Sequence, residues 1–64
     1  MKRFVYEYED GDVKVHTTII SKVTVRREGK GSRKVSIYEC NENELDRRLD
    51  GESAGKYITT ILIK

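Results

Sequence analysis

Tryptophan, proline and glutamine are absent from this 64-residue chain, and cysteine and histidine occur once each. A single cysteine, Cys40, excludes an internal disulfide framework. Cys40 and His16 together supply two of the four ligands a zinc site usually takes, so no metal or other cofactor is expected. No apolar run approaches the ~18 residues needed to cross a membrane. The basic start, Met1-Lys2-Arg3, is not followed by the apolar stretch of a signal peptide. One unpaired cysteine without an export signal suits a reducing cytoplasm.

Hydrophobic residues are also scarce, at 36% of the chain. A domain of this size buries only about 60% of the surface its unfolded chain exposes. One small domain over residues 1–64 is therefore expected, held by packing, ion pairs or self-association instead of covalent staples. Charged residues make up 38%. With the missing Gln and the frequent Ile, Val and Tyr, this resembles the composition of thermophile proteins. Surface charge that keeps a small domain soluble has the same signature.

Period-two patterning dominates the first 40 residues. Phe4, Tyr6 and Tyr8 share one face of a strand over Lys2–Glu9, and Arg3, Val5 and Glu7 share the other. Asp10-Gly11 predicts a two-residue hairpin turn with positive φ at both positions. Val13, Val15, Thr17 and Ile19 continue the alternation, which runs on through Val23 and Val25. One strand over Asp12–Glu28 would span roughly 56 Å at ~3.3 Å per residue. A domain with a radius of gyration near 11 Å has no room for it, so a break is placed at Ile20-Ser21-Lys22. Val23–Arg27 and Lys34–Cys40 then read as a second hairpin around a Gly-rich tip, Glu28–Arg33.

Beyond Cys40 the period changes. Asn41 and Glu44 have capping-box spacing, and Leu45 and Leu49 fall on one helical face. Gly51 can end the helix with positive φ, which predicts a helix over about 42–50. Tyr57–Ile63 carries apolar residues on both faces and reads as a strand interior to the sheet or covered by the helix. The predicted architecture is α+β and mostly β: a five-stranded antiparallel SH3-like half-barrel, ordered β-β-β-β-α-β, with one short helix.

The strongest functional signal is charge layout. The net charge of +2 conceals a segment, Lys22–Lys34, with six basic residues (Lys22, Arg26, Arg27, Lys30, Arg33, Lys34) and one acid, Glu28. Glu39–Glu52 is the counterpart, with six acids against Arg47 and Arg48. A basic hairpin can track a phosphate backbone through counterion release, and Arg offers bidentate contacts. Tyr38, on a strand of that hairpin, is the best candidate to stack on a base. A solvated tip paired with acidic neighbours is the competing reading. The acidic stretch either complements a helix dipole or docks a basic surface.

Catalysis is not expected. Gly29-Lys30-Gly31-Ser32 lacks P-loop spacing and its strand-to-helix setting. His16 and Cys40 could act as a base–nucleophile pair only if the fold joined them. The alternation instead makes His16 exposed, beside Lys14 and Thr18, and Cys40 buried and inert.

Two resemblances bear on this. Phe4-x-Tyr6, the early hairpin, Ile20-Ser21-Lys22 and Ile37-Tyr38-Glu39 make residues 1–40 similar to the small 7-kDa archaeal chromatin proteins. That resemblance implies an SH3-like barrel bound in the DNA minor groove. The family's Trp and apolar wedges are missing, with Arg26, Glu28 and Gly31 near their places, and this chain ends in a strand where the family ends in a helix. Residues 38–64 resemble the KTSC domain, a module found alone or at the end of some lysyl-tRNA synthetases, through Tyr38-Glu39-Cys40, Leu45, Leu49, Ser53-Ala54-Gly55-Lys56-Tyr57-Ile58 and Ile61. Cys40 stands where that family has a second Tyr.

The leading expectation is non-catalytic binding of DNA or RNA through the Lys22–Lys34 hairpin. The alternative is a small protein-interaction module or regulator, viral or plasmid-encoded or homo-oligomeric, acting through its acidic helix or edge strands.

Overall fold

The computed structural model describes residues 1–63. Four strands and two helices follow in the order β-β-α-β-α-β: β1 (Arg3–Tyr8), β2 (Val13–His16), α1 (Lys22–Gly29), β3 (Lys34–Cys40), α2 (Glu42–Leu49) and β4 (Lys56–Leu62). The sheet order is β2-β1-β3-β4, and every neighbouring pair is antiparallel. The radius of gyration is 11.0 Å.

The α+β, mostly β class is as expected, and three elements differ from the sequence reading. Residues 23–27, expected as a strand, form helix α1, so the described sheet has four strands and not five. That sheet is open, with β2 and β4 at its edges, and does not close into a half-barrel. β4, expected inside the sheet or covered by the helix, is an edge strand with exposed residues throughout its first five positions.

The β1–β2 connection shows how one residue of turn chemistry shifts the outcome. Gly11 has φ +100°, whereas Asp10 does not have a positive φ. The Gly11 N–H donates to the Tyr8 carbonyl at 2.9 Å, and the Tyr8 N–H donates to Asp12 O at 2.8 Å. Only one left-handed residue is needed, because the loop closes as a longer turn ending on a glycine instead of a two-residue one. The Asp10 carboxylate accepts from the Asp12 N–H at 3.0 Å and fixes the turn from within.

Helix α1 begins where the strand had to break. Ser21 is extended, and its side chain accepts from the Thr24 N–H at 3.3 Å, so it caps the helix. Of the two valines whose period-two spacing suggested a strand, Val25 is 1% exposed and Val23 is 63% exposed. They lie on different sides of a helix. Gly29 closes the packed side: a Cβ there would sit 3.1 Å from Ile63 Cδ1 and 3.2 Å from Tyr8 Cε2. The helix ends through left-handed Lys30 and Gly31 (φ 47° and +96°), and the Ser32 N–H donates to Gly29 O.

Two layers pack on the sheet. On one face, Tyr6, Tyr8, Val35 and Ile37 meet Val25 of α1, with Phe4, Ile20, Ile61 and Ile63 around them. Strand alternation puts Val5, Tyr38 and Cys40 on the opposite face, and α2 lies there. Asn41 and Glu44 form the expected capping box, at 2.8 and 3.0 Å. Leu45 is half-buried, but Leu49 stays exposed. The more consequential docking residue is Arg48. Its guanidinium lies 3.8 Å from the centroid of the Tyr38 ring, and Nη1 reaches Glu7 Oε2 at 3.5 Å.

Candidate nucleic-acid interface

Glu28, the one acid inside the basic segment, decides the charge of α1's surface. Its carboxylate is turned onto the sheet. His16 Nε2 lies 2.9 Å from Glu28 Oε1, and the Tyr8 hydroxyl donates to the same oxygen at 3.3 Å. The His16 ring meets Tyr6 edge-on, with centroids 5.4 Å apart. His16 was expected to be exposed; it is instead half-buried in this cluster. Burial and the neighbouring Glu28 carboxylate push the Tyr8 phenol up to about 12.

With Glu28 inward, the solvent side of α1 is cationic. Lys22, Arg26 and Arg27 are exposed on it, with Val23 between them, and exposed Lys30 follows at the cap. None of these four cations forms a salt bridge with a described residue. Arg26 and Arg27 also sit in the last helical turn, where positive charge complements the helix dipole.

The remaining expected site residues separate. Arg33 flanks the cap but is partly neutralised, with its Nε 3.7 Å from Glu9 Oε1. The Arg33 N–H donates to that oxygen at 3.4 Å, and the Asp10 N–H donates to Ser32 Oγ at 3.3 Å. The acidic β1–β2 tip therefore braces the turn after α1. Lys34 alternates with buried Val35, so it shares the face of Ser36 and Tyr38 and points away from α1. Tyr38 lies under Arg48 and edge-on to Tyr57, with centroids 5.7 Å apart. The structure brings together Lys22, Arg26, Arg27, Lys30 and the rim residue Arg33; it does not bring Lys34 and Tyr38 to them.

The far side carries the opposite sign. Glu42, Asp46 and Asp50 are exposed at four-residue spacing along α2 and its end. Cys40 and His16 lie on opposite faces of the sheet and make no catalytic pair. The Cys40 thiol is pushed up, chiefly by burial and then by Glu44. Among the described residues there is no pocket and no cluster of three potential metal ligands, and no helix is long and apolar enough to cross a membrane.

Fold and charge together define a class: a small open sheet with a cationic helix on one face and an anionic helix on the other. No family model, curated protein or solved structure matches the chain.

Proposed function

We propose that this protein binds nucleic acid without catalysis, through the phosphate backbone, using the outer side of α1 and the turn that follows it. One observation carries the reading: Glu28 is withdrawn to the sheet, so Lys22, Arg26, Arg27 and Lys30 form a surface with no acid and no internal partners. Such a surface exchanges condensed counterions for its own cations, which is the main source of sequence-independent affinity. The expected hairpin ribbon is replaced by a helix as the contacting element. A helix suits the role because the major groove is wide enough to admit one.

Five phosphate contacts, counting Arg33, set the salt dependence. Log affinity for duplex DNA should fall with log salt at a slope of about −4 to −5. The double variant Arg26→Glu/Arg27→Glu should remove binding at moderate salt while leaving the circular dichroism spectrum unchanged, since both side chains are solvent-exposed. Fluorescence anisotropy with duplex DNA, single-stranded DNA and RNA across a salt series reads both effects. A wild-type protein that shows no salt-sensitive binding at ~50 mM salt sinks the proposal.

A further inference from the structure

The two edges of the sheet differ in kind. β2 is four residues long and carries exposed Lys14 near its middle. Shortness and a lysine are two of the ways natural sheets block edge-to-edge pairing. β4 is seven residues long and has no charged side chain after Lys56, and no proline. It does have one protective device. The register skips Ile58: Ile37 pairs with Thr59 and Tyr38 with Tyr57. That bulge disrupts the first part of the edge and leaves Thr59–Leu62 regular.

The direction of the main-chain groups follows from one bond. The Ile63 N–H donates inward to Arg33 O at 2.8 Å. In an antiparallel ladder the inward positions alternate, so Ile61 and Thr59 also face β3. Thr60 and Leu62 then turn both their N–H and C=O groups to the open side. Their side chains are not committed to the core. Leu62 is 76% exposed, and the Thr60 hydroxyl is held on the sheet surface by Ser36 and Tyr57 at 3.3 and 2.7 Å.

We infer that the Thr59–Leu62 edge of β4 pairs antiparallel with the same edge of a second copy, giving a closed two-fold dimer with a continuous eight-stranded sheet. The occupant is a second copy because this run is neutral and antiparallel self-pairing opposes no like charges. Lys56, the only cation of β4, lies beyond the bulge and outside the paired run. The other edge offers no equivalent, so the pairing closes after two chains. A two-fold axis perpendicular to the sheet keeps like faces together, and both α1 helices lie on one side of the dimer.

Light scattering after size exclusion tests this in high salt and without nucleic acid, so its outcome is independent of the function proposed above. The expected mass is twice the 7.4 kDa of one chain. Hydrogen exchange should show the Thr60 and Leu62 amides protected at high protein concentration and exposed on dilution. Leu62→Pro deletes one outward donor without touching the β3–β4 ladder, and Leu62→Lys sets a charge on the edge. Each should weaken dimerisation by about tenfold or more, with the monomer's circular dichroism unchanged. A monomer mass up to millimolar concentration overturns the inference. So does a dimer that both variants leave intact, an assembly larger than two chains, or concentration-independent exchange of those two amides.

Discussion

Gly55 and Gly31 both have positive φ, at +84° and +96°, yet their surroundings differ. A Cβ on Gly31 meets nothing within 4 Å, whereas one on Gly55 would fall 2.5 Å from Cys40 Sγ and 3.0 Å from the Glu39 carbonyl oxygen. Gly31→Ala should therefore cost only left-handed backbone strain, on the order of 1 kcal/mol. Gly55→Ala adds a collision with fixed backbone and should cost about 2–4 kcal/mol. Urea denaturation of the two variants separates strain from clash; equal losses would mean that Cys40 and the Ala54–Gly55 turn yield freely.

Tyr8 makes a second prediction at the same scale. Its phenol is shifted upward, from an ordinary value of 10.0 to about 12. A raised acid favours the folded state while neutral, so this contribution is complete below pH 10 and is lost as pH rises from about 10 to about 12. The loss should be on the order of 2 kcal/mol. Chemical denaturation across that window should show a shallower decline for Tyr8→Phe than for wild type. Parallel curves would remove Tyr8 from the account. Neither effect was legible in the sequence, where Tyr8 was one aromatic of a strand face and Gly55 part of a loop.

Among the elements, legibility tracked how many local signals agreed. β1, β3 and α2 each combined periodicity with a boundary signal, and their observed limits lie within a residue or two of the expected ones. Residues 23–27 read as a strand because Val23-Thr24-Val25 is β-branched and its spacing continues the preceding strand's alternation. The deciding information is tertiary: Val25 and Gly29, one helical turn apart, pack on Tyr8 and Ile63, and Ser21 caps the start. In the sequence, Ile20-Ser21-Lys22 marks only a break in the strand. The apolar residues on both faces of β4 point to a strand interior to the sheet or covered by a helix, but the same pattern also fits an unprotected edge. Val23→Ala tests the α1 assignment by sign. On an exposed helical position, Ala is better than Val by about 0.5 kcal/mol, so thermal stability should rise. In a strand the same change would lower it.

At the scale of the molecule, the separation of charge along the sequence becomes separation across the sheet. The basic segment supplies α1 and the acidic segment α2, and the two helices lie on opposite faces. With a layer spacing of about 10 Å on each side, the axes of the two helices stand roughly 20 Å apart. That is about two Debye lengths at physiological ionic strength, but less than one at ~0.01 M salt, where the length is about 30 Å. The acidic helix should therefore repel a polyanion on α1 only when salt is low. The triple variant Glu42→Gln/Asp46→Asn/Asp50→Asn should bind duplex DNA more tightly than wild type near 0.01 M salt and indistinguishably near 0.15 M. Anisotropy titrations at the two salt concentrations measure it. Arg26→Glu/Arg27→Glu behaves differently, because those side chains make the contact, and its defect should persist at both. If neutralising α2 strengthened binding equally at both concentrations, the acids would have to lie within the contact itself. The nucleic acid would then sit across the sheet edge and not on α1.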